Sequence, residues 1–216
     1  VSPIGKLKKA IRRGQERIGK IRDRDHVRRK KIHKLEHPPK PKPPHPIAMF
    51  DSVSVAAIPK SAPAVAGYVG GAWPTFSELP AAFPHAYLMS IAVGSSETAL
   101  CLDVEPGDAN NASAVGWAKK ELVRRPVTWV YTSVSNVDAL LATLAAGGVD
   151  TSKVLIWSAH YTFHPHLCGP ASCGECRHLC DATQWTDHAG GGDLDQSLVG
   201  GHAIQHLIAP GTVRHP

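Results

Sequence analysis

The run ALCLDVEPGD, residues 99–108, sets two carboxylic acids two positions apart at the end of an apolar stretch. Strand alternation sends Cys101, Asp103 and Glu105 to one face and Leu100, Leu102 and Val104 to the other. Two acids sharing a face raise each other's proton affinity, most strongly for whichever is more desolvated. A pair in which one acid keeps its proton near neutral pH while the other stays ionised has the two groups that glycosidic cleavage needs. One protonates the leaving oxygen, and the other supports a cationic sugar transition state. The same D-x-E spacing also suits a metal-binding or salt-bridged pair.

A second chemical cluster lies further on, in HLCGPASCGECRHLC, residues 166–180. Cys168, Cys173, Cys176 and Cys180 follow a C-x4-C-x2-C-x3-C spacing, with His164, His166 and His178 as additional ligands. Such a cluster either holds a zinc ion in a tetrahedron or closes two disulfides, and either would give a featureless loop a small core. Neither reading makes the cysteines catalytic, so no cofactor is expected for catalysis and a structural zinc is one of two alternatives. Cys101 reads as a small buried residue. His160, at a strand end, either reaches the acids or packs as a hydrogen-bonded core residue.

The elements that must position these groups alternate. Candidate strands fall at 47–50, 66–69, 87–93, 99–105, 127–132, 154–160, 182–186 and, more weakly, 194–199. The clearest helix runs from Ser135 to Ala146, with a capping-box-like Ser135/Asp138 start and a stop at Gly147-Gly148. Another spans about Ala112 to Arg125, opened by Asn110 or Asn111 and ended before Pro126. Repeated β-then-α units imply a parallel sheet with right-handed crossovers. Eight strands suggest closure into a TIM-like β/α barrel, an open doubly wound sheet being the alternative; no glycine-rich phosphate loop favours the open form. In a barrel the apolar set Leu100, Leu102 and Val104 faces the helices, so the acids point inward. Pro106-Gly107 then marks the C-terminal strand end, where barrel enzymes carry their active sites.

DVE after an apolar run resembles the D-x-E signature of glycoside hydrolase family 25 muramidases and related lysin-like domains of actinobacteria and their phages. Further segments match in the same order: Phe50-Asp51-Ser52 at the first strand end, Val130-Tyr131-Thr132-Ser133 like the family's Y-T-S segment, Ala182-Thr183-Gln184-Trp185-Thr186-Asp187 like its Q-[YW]-T strand, and Gly191-Gly192-Asp193-Leu194-Asp195 like its terminal V-D-L-N. The resemblance covers about residues 47–200. It implies an N-acetylmuramidase acting on bacterial peptidoglycan, with Glu105 as general acid, Asp103 stabilising charge or orienting the reacting groups, and Asp51 and Asp193 completing an acidic cluster. Asp195 competes with Asp193 for the last place. Acids about 5 to 5.5 Å apart would mean retention of configuration, a larger gap inversion. The family's Asp-Val-Ser opening is Asp51-Ser52-Val53-Ser54 here, with no Gln nearby. Aromatics at candidate strand ends, Trp73, Tyr131, Trp157 and Trp185, are candidates for stacking on sugar rings, with core packing as the alternative for each.

Charge divides the 216-residue chain. Residues 1–43 hold sixteen Lys and Arg against four acids, a formal +12; the remainder carries −6. The expected organisation is a basic arm over 1–36, helical or disordered, a Pro-rich linker over 37–46, the barrel over 47–200 and a tail over 201–216 without a pattern. The arm suits a polyanion: wall polymer, nucleic acid, anionic lipid or an acidic virion protein. It has no aromatic for base stacking. No apolar run is long enough to span a membrane, and the start lacks the features of a secretory signal. Delivery to a wall substrate would then be by lysis, a pore or a virus particle, as for a phage-encoded or virion-associated protein. The competing function is a protein that keeps the barrel without turnover, as a sugar-binding or virion component, or one in which the polyanion-binding arm is the function.

Overall fold

A computed structural model describes residues 3–36, 44–187 and 193–212. The chain divides into two units, Val1–Lys42 and Pro43–Pro216. In the first, α1 (Pro3–Glu36) is one continuous helix of 34 residues. Its apolar residues Ile4, Ile11, Ile18, Ile21, Val27 and Ile32 are exposed. The exposed i,i+4 pairs Arg12–Glu16 and Arg29–Asp25 add only tenths of a kcal/mol each. Residues 37–43 of the expected linker lie outside the described residues.

In the second unit eight strands close a barrel in sequence order: β1 (Ile47–Ser52), β2 (Ala64–Tyr68), β3 (Tyr87–Ala92), β4 (Cys101–Asp103), β5 (Thr128–Ser133), β6 (Val154–Ala159), β7 (Ala182–Thr186) and β8 (Leu194–Val199). β1 to β7 pair in parallel, each with the next. β8 departs from the all-parallel expectation: it runs antiparallel to both β7 and β1. The β7–β8 connection, residues 187–193, is far shorter than the dozen or so residues a parallel crossover needs, so the chain must reverse.

Alternation sorts the side chains into two layers. Met49, Ala64, Ala66, Met89, Ile91, Cys101, Trp129, Trp157, Ala182 and Val199 fill the barrel, large against small. Leu102, Val104, Val130, Val154 and Ile156 face outward, onto α3 (Asn111–Arg124) and α4 (Val137–Ala146) through Ala114, Trp117, Leu140 and Leu144. A third cluster joins Val65 and Leu88 to Ile58, Phe83 and Leu79, the last on the short helix α2 (Leu79–Ala82). The residues after β8 are not a patternless tail, because Ala203, Ile204 and Leu207 pack on the barrel core and Ile208 bridges Leu88.

Helix starts differ in how they are made. Asn110 caps α3 in a reciprocal box, its side chain accepting from Ser113 N while Ser113 Oγ accepts from Asn110 N, both at 3.0 Å. α4 has no side-chain cap; a 3-10 turn over Val134–Asn136 feeds into it, and the expected Ser135/Asp138 box is not formed. Ser135 lies inside that turn and hydrogen-bonds Ser133 instead. The parallel β6–β7 crossover, residues 160–181, contains no helix or strand. Replacing Asn110 by Ala is expected to cost about 1 kcal/mol in urea unfolding, while Ser135→Ala should change stability by under about 0.5 kcal/mol.

Candidate functional site

The C-terminal ends of the parallel strands converge on a group of acids. Asp51 is the penultimate residue of β1 and Asp103 closes β4; both are 4% exposed. β4 is shorter than expected because the chain turns directly after it: Ala109 N donates to Asp103 O and Asp108 N to Glu105 O, with Gly107 at φ 105°. That positive φ favours glycine. Glu105 therefore sits in the turn above the strand, half-buried, on the wall of a groove of about 540 Å³ formed with Pro106, Asn110, Asn111, Ser133 and Asn136. The groove wall is held by paired amides, Asn111 with Asn136 at 3.1 and 2.9 Å, and by Asn136 donating to Thr132 Oγ1 at 2.9 Å.

Electrostatics in this mouth run one way. Burial pushes Asp103 from 3.8 up to about 8, reinforced by the charges of Glu105, Asp108 and Asp51. Asp51 is raised by burial and by Asp195 and Asp187. Glu105 is raised by partial burial, then by Asp108 and Asp187. Each charge acting on these three acids is negative. Asp51 Oδ2 and Asp103 Oδ1 have no hydrogen-bond partner among the described residues. Burying carboxylates this way is costly, and holding protons is how the group lowers the cost.

The antiparallel strand settles the register at the last acid. Asp195 stands opposite Asp51 in the β1–β8 ladder and acts on it electrostatically. Asp193 precedes the strand and is exposed. Asp195, not Asp193, joins the cluster.

The four aromatic candidates separate. Trp157 is 1% exposed inside the barrel, its indole N–H donating to Ser197 Oγ at 3.0 Å, and cannot offer a face to a sugar. Tyr131 is 7% exposed; its ring meets Trp157 edge-on, and its hydroxyl donates to Gln184 Oε1 at 2.8 Å. Trp185 is half-buried on β7. Trp73 is 58% exposed and lines a second groove of about 280 Å³ with Val53, Tyr68, Gly70, Gly71 and Asp108. Sequence reasoning passed over two tyrosines. Tyr68 ends β2 in the field of Asp51, Asp103 and Asp195, which with burial raises its pKa. Tyr161 follows β6 and lies 3.4 Å from the Tyr131 hydroxyl. Tyr68 could have been found, because it shares strand parity with the inward-facing Ala64 and Ala66. Tyr161 stands on a loop and carries no periodic signal.

The cysteines are free thiols. Cys176 and Cys180 hold their sulfurs 3.5 Å apart, against about 2.05 Å in a disulfide. The disulfide alternative is thus not the arrangement found. His160 turns away from the acids to Cys168 and, with Cys173, forms a group able to hold a metal ion.

No protein-family profile and no curated protein sequence matches the chain. Among solved structures, it is similar to an uncharacterised protein of B. stearothermophilus, with a TM-score of 0.55 and 11% identity over 74% of this chain and 99% of that one. That likeness is one of fold. It also overlaps the Clostridium perfringens spore cortex lytic enzyme SleM, with a TM-score of 0.46 and 15% identity over 78% of this chain and 71% of that one.

Proposed function

We propose that the barrel is a glycoside hydrolase acting on bacterial peptidoglycan, of the N-acetylmuramidase type. The supporting observation is the acid cluster at the C-terminal mouth, in which Asp51 and Asp103 are buried, the charges raising Asp51, Asp103 and Glu105 are all acidic among the described residues, and Glu105 adjoins an open groove. The resemblance of the D-x-E segment and its companion motifs to family 25 muramidases supports the substrate class. Glu105 is the acid that reaches substrate and protonates the glycosidic oxygen. Asp103 is deeper and more strongly raised, by burial first and then by the charge of Glu105, while burial and then Asp108 and Asp187 raise Glu105. Positive charge developing on the sugar ring is stabilised by the carboxyl oxygens of Asp51, Asp103 and Asp195, an interaction that the neutral substrate lacks.

The helical arm serves attachment in this reading. Its fourteen Lys and Arg over residues 3–36 would hold the enzyme to an anionic polymer such as a wall polymer, a nucleic acid or an acidic virion surface.

Three outcomes test the proposal. Glu105→Gln is expected to reduce release of reducing ends from isolated peptidoglycan by about 10² to 10⁴-fold, while Asp193→Asn leaves it within about twofold. No reducing ends from the native chain would end the enzyme reading. Stability should depend on pH through Asp103. Below about pH 4 the folded and unfolded carboxyls are both protonated; as pH rises the unfolded one ionises first, so stability falls until the folded group ionises near pH 8. Asp103→Asn should therefore melt higher than the native chain at pH 8, with the gap closing toward pH 4, and each kcal/mol read as about 2–4 °C. Replacing Arg13, Arg17, Lys20 and Arg24 by Gln should flatten the salt dependence of binding to a polyanion column while leaving hydrolysis unchanged.

A further inference from the structure

The β6–β7 crossover joins two parallel strands, yet residues 160–181 form no helix to cover them. What covers them is a cluster of histidines and cysteines. Cys168, Cys176 and Cys180 pack in the same layer as Leu140, Leu144 and Ile156. The loop is tied to β7 by Cys168 N donating to Thr183 Oγ1 at 2.8 Å and to itself by Cys180 N donating to Cys168 O at 2.8 Å.

Within it, three donor atoms form a triangle. His160 Nδ1 is 3.0 Å from His166 Nε2 and 3.2 Å from Cys168 Sγ, and the last two are 3.4 Å apart. The Cys173 sulfur lies within 4.8 Å of the His160 and Cys168 donor atoms; His166 is not part of that set, so one ion held by all four would draw Cys173 and His166 closer together. Hydrogen bonding fixes where the His166 proton lies. His166 Nδ1 is 2.9 Å from the His164 carbonyl oxygen, which can only accept, and 3.1 Å from Thr162 Oγ1, whose own hydroxyl donates to that same carbonyl; a proton on Nδ1 suits both contacts and turns the Nε2 lone pair inward. His160 points Nε2 toward the Glu175 carboxylate at 4.0 Å, which leaves Nδ1 as its inward atom. Two ring nitrogens 3.0 Å apart, with a sulfur 3.2 and 3.4 Å from them, bring three metal-ligating atoms to one point. The outer partners, a carbonyl on one ring and a carboxylate on the other, are those that orient metal-binding histidines.

We propose that His160 Nδ1, His166 Nε2, Cys168 Sγ and Cys173 Sγ bind one zinc ion, which takes the place of the missing crossover helix. Zinc bonds of about 2.0 to 2.1 Å to nitrogen and about 2.3 Å to sulfur give tetrahedral edges of about 3.3 Å between nitrogens and about 3.6 Å between nitrogen and sulfur. The three edges need to open by only a few tenths of an ångström. Softness selects the metal: two thiolates with two imidazoles suit zinc, while calcium and magnesium require oxygen. Four protein ligands leave no open position, so the ion is structural, and it braces the segment that carries Tyr161 to the Tyr131 hydroxyl at the barrel mouth. The ligand set is thus not the four cysteines of the sequence spacing; Cys176 and Cys180 form a neighbouring thiol pair.

The test uses the full chain, purified reduced and without chelator, with zinc measured by elemental analysis and the site read independently by Co²⁺ substitution. One zinc per chain and a tetrahedral, thiolate-bearing Co²⁺ spectrum are expected. His166→Asn and Cys173→Ser should each weaken Zn²⁺ binding more than tenfold in a competition titration with a chromophoric chelator, with circular dichroism confirming that the variants fold. Cys180→Ser and Cys176→Ser should retain the ion. Substoichiometric zinc with no Co²⁺ uptake, a Cys168–Cys173 disulfide in the peptide map, or loss of metal on changing Cys176 or Cys180 but not His166 would each overturn the assignment. None of these readouts depends on hydrolysis.

Discussion

Closure of the barrel is the constraint from which the site follows. A strand in an open sheet has two faces that neighbours can treat alike, whereas a strand in a closed barrel has an inside and an outside. On β4, Leu102 packs outward against the helical layer, so Cys101 and Asp103 must turn in. One residue of slip would exchange the sets, putting a carboxylate under α3 and α4 and leucine in the mouth. The apolar layer between strands and helices therefore fixes where the acids go. Asp103 pays nothing toward that packing and is carried into a position that only its chemistry justifies, with an oxygen left without a hydrogen-bond partner among the described residues.

How the cluster divides its protons follows from depth. Asp103 and Glu105 are near neighbours in sequence, but the turn at Pro106-Gly107 leaves one beneath the mouth and the other at the groove. Burial is the largest influence on each, and it is greater for the strand residue, so the proton resides more firmly on Asp103. The acid that touches the groove is consequently the one whose ionisation is easier to change. These groups act on one another and titrate as a set, so a proton lost from Glu105 is felt at Asp103. A cation in the mouth would remove that behaviour by holding every acid ionised. Basic residues on and just after α3 are engaged elsewhere: Lys120 donates to the carbonyls of Ser95, Ser96 and Glu97, and Arg125 pairs with buried Glu121 at 2.8 Å.

Period-two patterning made the strands and the inward Asp103 of β4 legible in the sequence, because burial on both faces leaves a continuous record in residue type, whereas the turn that lifts Glu105 off the strand left none. The direction of β8 was less so. LDQSLV reads the same either way, and only the short connection from β7 tells that the chain turns back. That reversal decided which aspartate joins the cluster: pairing with β1 sets Asp195 opposite Asp51 and leaves Asp193 outside. Of the two readings of Trp157, stacking face or core, the core one holds. Its place near a strand end suggested a stacking face, but in so narrow a barrel an inward tryptophan two residues before the end is filling, packed beside Ala159 and Ala182 and bonded to Ser197.

The β6–β7 loop marks where linear spacing stops being informative. Counting along the chain groups the four cysteines, since they are close in sequence and alike in kind. Folding groups by distance: His160 follows β6, His166 is aimed by its own local carbonyl, and His160 meets both His166, six residues on, and Cys168, eight residues on. A turn that presents a ring nitrogen leaves no periodic signature, because its geometry is set by a few backbone hydrogen bonds rather than by a repeating face. The inward Asp103 could be read because a strand repeats every two residues; the donor triangle could not, because it is assembled once, by contacts that no repeat encodes.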